Sequence, residues 1–413
     1  MNGTSVRILI GLVVGLVAGA LLTGHPAGVA AGQVAQPVGK LWLDALTMTV
    51  VPLVFSLLVS GVMSAAARAS DGTIAARSLI WFATLLLAAS LLSIAVTSLM
   101  LWASPLPQAA SALAASGGAG PPVPTSTDWL AAIIPTNIVK SAAETAMVPL
   151  VLFAMLFGLA ATRIEGDLSE QIERTFRGLA QTMLVIVQWV LWLAPIGVLA
   201  LGFGVGLRLG GGAAGVLAHY VMVVVAACLG ATVLSYAAGT LFGRIRLSAF
   251  ARAALPAQVI AVSTQSSLAS LPAMVEAAEP LGIEKATAGI VLPLAVSLFR
   301  AASAAANVAV AIYLAHVHAV PLGAGAMIVG AVVAAAVSVA AVGLPAQVSF
   351  FAIIAPVCFA MGVPVVLLPL LLAIETLPDV FRTLGNVTAD LAVARIVGRT
   401  HPSTGNGRRI SPR

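Results

Sequence analysis

Residues 375–390 have the sequence ETLPDVFRTLGNVTAD, in which four ionisable side chains interrupt an otherwise apolar stretch. A helix turns about 100° per residue, so the polar residues of this stretch project from one face. They are Glu375, Asp379, Arg382, Thr383, Asn386 and Asp390. The opposite face carries Leu, Val and Phe. A charge at the centre of a bilayer costs about 2.5–3.5 kcal/mol, so in a membrane such a row must face a cavity or partner charges.

The composition of the chain indicates an integral membrane protein. Of its 413 residues, 60% are hydrophobic and 8% are charged, whereas soluble domains carry about 25% charged residues. The net charge of +6 comes from basic residues in short loops between apolar segments. Membrane topology explains this arrangement, and we expect no nucleic-acid partner.

Apolar stretches long enough to cross about 30 Å of hydrocarbon recur along the chain. The predicted spans are 5–24, 41–66, 78–103, 129–162, 175–207, 213–242, 286–317 and 364–397. Two more apolar segments, 248–277 and 325–362, are each interrupted near the middle by proline and small polar residues. Non-helical backbone at membrane depth needs protein or water around it. Two such segments indicate a transporter binding site in an all-α, polytopic membrane protein.

The loops predict the orientation of the chain in the membrane. Arginines concentrate between spans two and three, between spans four and five, after span six and at the C-terminus. The segments 22–40, 104–127 and 205–215 are read as loops that are poor in charge. The positive-inside rule then predicts a multi-pass protein of the cell (inner) membrane, with eight crossings and both termini cytoplasmic.

The polar row permits two interpretations. In one, the helix lies near the membrane boundary and its charges are solvated or paired for stability. In the other, the row binds a solute: Arg382 offers a planar fork to a carboxylate, and Asp379, one turn away, accepts an ammonium group. Asn386 and Thr383 add neutral hydrogen bonds. The second interpretation suits a small anionic, zwitterionic substrate with an extra carboxylate. The sequence lacks His-Glu-x-x-His and Gly-x-Ser-x-Gly motifs, so we expect no enzyme and no cofactor.

Several motifs together resemble those of a known transporter family. They are Asp379, Arg382-Thr383, Asn386-Val387-Thr388 and Asp390 in the last span, Ser266-Ser267 with Leu271-Pro272, Ile134-Pro135-Thr136-Asn137, and Ala194-Pro195-Ile196-Gly197-Val198. They occur in the order found in the glutamate/aspartate transporter family, the dicarboxylate/amino acid:cation symporters. The resemblance implies eight transmembrane helices, two re-entrant helical hairpins with inverted repeats, and a homotrimer embedded in lipid.

The resemblance also implies an elevator-type mechanism, in which a transport unit moves against a static scaffold. Residues 1–207 would form mainly the scaffold and trimer contacts, with span three (78–103) belonging to the moving unit. Residues 213–397 would form the transport core, which contains the hairpins 248–277 and 325–362. Residues 398–413 would be a cytoplasmic tail.

The same resemblance assigns roles to individual residues. Arg382 would hold the side-chain carboxylate of the substrate and Asp379 its amino group. The other substrate-binding residues would be Ser266, Ser267, Ser303, Thr383 and Asn386. Asp390 and Asn386 would contribute to a sodium site. Because both Asp379 and Arg382 are present, an acidic amino acid such as aspartate or glutamate is favoured over a dicarboxylate.

The chain departs from the family at the sodium-binding motif of span seven. Where sodium-coupled members have Asn-Met-Asp-Gly-Thr, this chain has Phe299-Arg300-Ala301-Ala302-Ser303. Sodium prefers oxygen ligands, and two are lost. We hypothesise that the Arg300 guanidinium replaces the bound cation; alternatively, it pairs with a membrane carboxylate in a structural role. The coupling ion is therefore sodium or a proton. The alternatives to a sodium symporter are a sodium-independent or proton-coupled carrier or exchanger, or a non-transporting substrate sensor.

Overall fold

The computed structural model describes residues 3–70, 72–110, 134–340 and 346–399, and the regular elements in these ranges are helical. The first half contains α1 (Gly3–Leu21), α2 (Pro26–Thr47), α3 (Val50–Ser70), α4 (Thr73–Ala103), α5 (Ile138–Ala143), α6 (Met147–Ala161), α7 (Gly166–Trp192) and α8 (Ala194–Leu209). The second half contains α9 (Ala213–Leu241), α10 (Leu247–Thr264), α11 (Ser267–Ala278), α12 (Lys285–Leu298), α13 (Ala301–Val317), α14 (Ala324–Ala340), α15 (Ala346–Ala360), α16 (Leu368–Leu372) and α17 (Thr376–Gly398).

The outer surface of the bundle is apolar. Five helical stretches in the described ranges are long and apolar enough to cross a membrane. They are Pro26–Arg68, Thr73–Ala103, Ala194–Leu241, Leu247–Thr264 and Lys285–Val317. Large side chains such as Leu21, Trp102 and Trp192 are 77–80% exposed. A surface of this kind is unfavourable in water and suits contact with lipid.

The prediction that residues 22–40 form a loop is wrong, because α2 is already helical from Pro26. Proline suits the first helical turn, where its missing N–H is not needed, and the preceding His25 side chain accepts a hydrogen bond from the Ala27 amide. The segment contains glycine, alanine and glutamine, which lower its apolar signal. Hydrophobicity alone therefore placed the start of the second helical stretch too late.

Several predicted spans are also broken into shorter helices. The predicted span 41–66 is interrupted at residues 48 and 49, and the span 364–397 contains a turn at residues 373–375. The span 175–207 divides at Leu193, where Pro195 begins a new helix. The described part of the span 129–162 divides where Thr145 adopts a left-handed conformation, with φ of 57°.

The first interrupted segment folds as two packed helices, α10 and α11. The chain turns at Gln265, which is left-handed with φ of 54°, and the Ser266 hydroxyl then accepts a hydrogen bond from the Ala269 amide to cap α11. The interruption between the two helices therefore consists only of Gln265 and Ser266. Pro272, which the sequence placed in the interruption, lies inside α11. The second segment corresponds to α14 and α15. Of its predicted interruption, residues 342–347, positions 342–345 lie outside the described residues, and α15 already begins at Ala346. Residues 400–413 of the predicted tail also lie outside them.

Helix α17 occupies the centre of the C-terminal half. It packs against α9, α10, α12 and α13, and more weakly against α11 and α4. From Asp379 to Gly398 nearly every side chain of α17 is buried. The polar row identified in the sequence therefore lies among other helices rather than against lipid.

Helices α1 and α8 pack closely through glycines. A Cβ added at Gly15 would lie 2.4 Å from the Leu199 carbonyl oxygen, and one added at Gly206 would lie 2.3 Å from the Leu16 carbonyl oxygen. These distances are too short for any side chain, so the two backbones approach each other only because these positions lack one. Small residues serve this purpose widely in membrane helices.

Replacing Gly206 by Ala should lower the melting temperature of the detergent-solubilised protein, because overpacking costs typically about 1–3 kcal/mol. Gly204 is a matched control on the same helix, since a Cβ there would meet no atom of the described residues within 4 Å. The Gly204→Ala variant should melt at the wild-type temperature or slightly above it, because alanine favours helix more than glycine does. Equal melting temperatures for the two variants would contradict this packing.

Candidate functional site

A buried ion-pair cluster lies at the start of α17. Arg382 contacts the Glu375 carboxylate through Nη2, and its Nη1 lies 3.9 Å from Asp379 Oδ1. The three side chains are only 5–11% exposed. On the other side of the cluster, the Tyr220 hydroxyl of α9 donates a hydrogen bond of 3.3 Å to Glu375 Oε2. One guanidinium thus faces two carboxylates in a site that is nearly closed to water.

The local sequence explains how this cluster forms. Glu375 is the N-cap of α17, and its carbonyl accepts the first helical hydrogen bond, from the Asp379 amide. Pro378 falls in the first turn, where a missing N–H costs no hydrogen bond. Acidic side chains are favourable near a helix N-terminus. The spacing of four and then three residues places Glu375, Asp379 and Arg382 on one face.

A second polar cluster joins α17 to the beginning of α13. Asn386 Oδ1 accepts hydrogen bonds from the amides of Ala302 at 3.0 Å and Ser303 at 3.2 Å. Asn386 Nδ2 donates to Ser303 Oγ at 3.0 Å. Amides at a helix N-terminus have no partner within their own helix, so Asn386 caps α13 from a neighbouring helix. The structure therefore brings together two residues that the sequence analysis assigned to the substrate site.

The break between α12 and α13 consists of Phe299 and Arg300. Both have non-helical backbone, with φ and ψ of −118° and 114° for Phe299 and −136° and 68° for Arg300. Phe299 is 1% exposed, and its ring stacks on Phe82 of α4 at a centroid distance of 4.7 Å. The helix is therefore interrupted here although position 302 is alanine and not the glycine of the family motif, which would ease unwinding. Aromatic packing fills the space beside the break.

Arg300 and Asp390 are ionisable residues that form no ion pair with the residues that the structure describes. Within the described ranges, the Arg300 guanidinium makes no ion pair, but it is attracted by Asp379 and Asp390 and repelled by Arg382. Asp390 is 0% exposed, and neither carboxylate oxygen has a hydrogen-bond partner among those residues. An isolated carboxylate is costly to bury, so this position requires a cation or a proton nearby.

The first hairpin contacts the start of α17 through Gln265 rather than through its serines. Gln265 Nε2 donates a hydrogen bond of 3.4 Å to the Thr376 carbonyl. Ser266 and Ser267 are half-buried, and the Ser266 hydroxyl caps its own helix. In the part of the chain that the structure describes, neither serine hydroxyl is hydrogen-bonded to Asp379 or Arg382.

The remaining predicted residue, Thr383, is 5% exposed, and its hydroxyl donates to the Asp379 carbonyl at 2.8 Å.

Two further residues of the site were missed as functional candidates. Glu375 was placed on the polar face, but only the fold shows it as the partner of Arg382. Tyr220 lies in an apolar helix, and its only signal is that a buried tyrosine hydroxyl needs a hydrogen-bond partner.

Comparison with known proteins gives a consistent answer. The family model for the sodium:dicarboxylate symporter family matches residues 5–400. The chain is 26% identical over 411 residues to a proton/sodium-glutamate symport protein of Bacillus caldotenax, covering 96% of this chain and 94% of the relative. It is 28% identical over 408 residues to a C4-dicarboxylate transport protein of Deinococcus radiodurans, covering 94% and 88%. It is 25% identical over 402 residues to a proton/glutamate-aspartate symporter of Escherichia coli, covering 94% and 92%.

These matches extend over nearly the whole chain, and they agree with a bundle that exposes many large apolar side chains and buries the charged residues of the α17 polar row. The resemblance seen in the motifs is thereby confirmed. The protein is a multi-pass protein of the cell membrane and not an enzyme. The chain belongs to the sodium:dicarboxylate symporter family.

Proposed function

We propose that this protein carries an acidic amino acid across the cell (inner) membrane by symport, with Arg382 binding the side-chain carboxylate of the substrate. The observation that carries the proposal is the buried guanidinium at the head of α17. Its Nε is inaccessible to water and has no hydrogen-bond partner among the described residues. An arginine that holds unused donors in a closed site is suited to bind a planar carboxylate.

Asp379 supports an amino acid over a simple dicarboxylate. Its carboxylate lies 3.9 Å from Arg382, too far for a close hydrogen-bonded pair, and it remains available for an ammonium group. The named relatives include glutamate, glutamate-aspartate and C4-dicarboxylate transporters, so they allow both substrate classes. An ammonium group would balance Asp379, whereas a dicarboxylate would add a second negative charge beside it. The remaining substrate contacts are assigned to Ser266, Ser267, Ser303, Thr383 and Asn386.

The transport mechanism we propose is an elevator in a homotrimer with both termini cytoplasmic. Eight helical crossings and the two re-entrant hairpins, at 248–277 and 325–362, would enclose the site. Residues 1–207, apart from span three, would form the scaffold. The packing of α1 on α8 and of α3 on α6 and α7 supports a separate scaffold, and α14 and α15 contact α3 along the surface where sliding would occur.

The coupling ion we propose is not sodium, for reasons that lie in the break before α13. Phe299 and Ala301 offer no side-chain oxygen, and Asn386 Oδ1 already accepts two amide hydrogen bonds. Asp390 retains a carboxylate, but the nearby cation is Arg300. A resident guanidinium would supply the positive charge that sodium supplies elsewhere. A non-transporting sensor remains the second candidate, because the same substitutions remove the means of sodium coupling.

Replacing Arg382 by Ala should abolish binding of aspartate while the trimer persists. Removing one partner of a buried charged hydrogen bond costs about 2–5 kcal/mol, on the order of a thirtyfold or greater loss in affinity. Calorimetry measures the affinity, and size-exclusion chromatography checks the assembly. Arg382→Lys keeps the charge but loses the fork and should bind weakly. Arg174→Ala, on a 74% exposed side chain, is the control and should bind normally. Wild-type affinity in Arg382→Ala would contradict the assignment.

Replacing sodium by choline should leave aspartate accumulation in proteoliposomes undiminished, because Arg300 already provides the cation. Uptake is measured with radiolabelled aspartate, with a proton gradient held constant across both salts. Accumulation that disappears in choline would show that sodium is required. Counterflow without accumulation in either salt would indicate an exchanger, and binding without any flux would indicate a sensor.

The proposed role of Arg300 is also testable with a double-mutant cycle. Arg300→Gln should lower the melting temperature because Asp390 then lacks a balancing charge, and Asp390→Asn should do so for the reverse reason. The double variant should recover part of the loss, with an interaction energy of about 0.5–3 kcal/mol. Strictly additive effects would mean that the two charges do not compensate each other.

A further inference from the structure

We infer that Glu375 is an exchangeable partner of Arg382 and carries the coupling proton: the substrate carboxylate displaces Glu375 from the guanidinium, and the freed Glu375 carboxylate takes up one proton. This inference rests on the proposed function, since it requires that the substrate bind Arg382. The proton comes from water on the side where the substrate enters, and one O–H bond forms at Glu375. The same bond breaks when the substrate leaves and Glu375 returns to Arg382.

The geometry makes Glu375 and the substrate competitors for the same donors. A carboxylate binds a guanidinium most strongly when two parallel N–H groups serve its two oxygens. Of the three nitrogens of Arg382, Nη2 contacts Glu375, Nη1 faces Asp379 and Nε has no hydrogen-bond partner among the described residues. Nη2 carries two N–H groups, but the Glu375 carboxylate lies directly against this nitrogen. A substrate carboxylate that pairs through Nε and Nη2 therefore competes with Glu375 for the same side of the guanidinium.

Glu375 is also the member of the cluster best placed to move. It lies outside the regular part of α17, in the turn at residues 373–375 between two helices. Asp379 and Arg382 lie within the helix and keep their backbone positions. A change in the side-chain torsions of Glu375 therefore separates it from Arg382 without moving α17. The Tyr220 hydroxyl, which already donates a hydrogen bond to the other carboxylate oxygen, offers Glu375 a neutral partner.

The charges facing Glu375 cannot compensate for its displacement. From α9 it is faced by the Tyr220 hydroxyl and the Cys228 thiol, which are neutral, and from α17 by Asp379 and Arg382. From α13, Arg300 acts on Asp379, Arg382 and Asp390. The wider cluster contains three carboxylates and two guanidiniums, hence one net negative charge. A monoanionic substrate raises this to two unless a proton joins it.

A proton on Glu375 neutralises the additional negative charge at the residue that has just lost its contact with Arg382. A neutral carboxyl group loses far less on burial than an unpaired carboxylate. Its O–H can donate a hydrogen bond, and its other oxygen still accepts one from Tyr220. Because the fixed Arg300 guanidinium takes the place of a bound sodium ion, the site holds no metal cation that could travel with the substrate. The proton is therefore the coupling ion. Substrate and proton then cross together.

The test uses the full-length protein in sodium-free proteoliposomes. Glu375→Gln imitates the protonated residue, so this variant should exchange internal for external aspartate but should no longer accumulate aspartate in response to an inward proton gradient. Its affinity for aspartate should be independent of pH. The wild-type affinity should weaken about tenfold per pH unit over the range in which Glu375 is ionised in the free protein and protonated in the complex, because one proton is linked to binding there. Glu375→Asp keeps a titratable group and should retain gradient-driven uptake.

Two outcomes would overturn the role of Glu375. The first is a Glu375→Gln variant that accumulates aspartate or keeps the wild-type pH slope. The second is loss of aspartate binding in this variant at every pH, since Glu375 would then be a fixed structural partner of Arg382. Independently of any variant, the wild-type protein should take up about one proton per aspartate bound in weakly buffered, sodium-free solution; no uptake would also overturn it. Failure of the proposed function itself is distinguishable, because it appears as normal aspartate binding in Arg382→Ala.

Discussion

The ion pair between Arg382 and Glu375 is the interaction on which the rest of the site depends. Both groups lie inside a helical bundle with an apolar exterior, where a single charge is costly and a pair is tolerable only with good geometry. Asp379 and Tyr220 complete the surroundings from α17 and α9. A buried pair of this kind contributes little net stability, because desolvation opposes the attraction between the two charges. Its value lies in holding a guanidinium ready for another carboxylate.

The surrounding helices hold this cluster in place through polar contacts at helix ends. Asn386 caps α13 one turn below Arg382, and Gln265 ties the turn of the first hairpin to the first residue of α17. Further along α17, Gln258 of α10 donates to Thr388 at 2.8 Å and also pairs with Tyr236. These contacts fix the hairpin and α13 to α17. A movement of this unit would therefore carry the whole polar row together.

Much of this arrangement could be predicted from the sequence, because burial in a membrane leaves few explanations for charged residues. The spacing from Asp379 to Asp390 predicted a one-sided polar face, and the interruption near Ser266 predicted a turn. The first part of helix α2 was missed because glycine, alanine and glutamine weaken its hydrophobic signal. The role of Tyr220 depends on which helices pack together, which spacing along one helix does not reveal. Spacing placed Glu375 on the same face as Arg382, but only the fold shows the two side chains in contact. The break at Phe299 persists without glycine because packing on Phe82 and capping by Asn386 stabilise it.

The most direct test is a structure of the protein with aspartate bound in sodium-free buffer. The account predicts that the ligand lies between α17 and the two hairpins, with its side-chain carboxylate within about 3 Å of two Arg382 nitrogens. Its ammonium group should lie beside Asp379, and Glu375 should have left Arg382 Nη2. A ligand bound away from α17, or one that leaves the pair between Arg382 and Glu375 intact, would contradict the account.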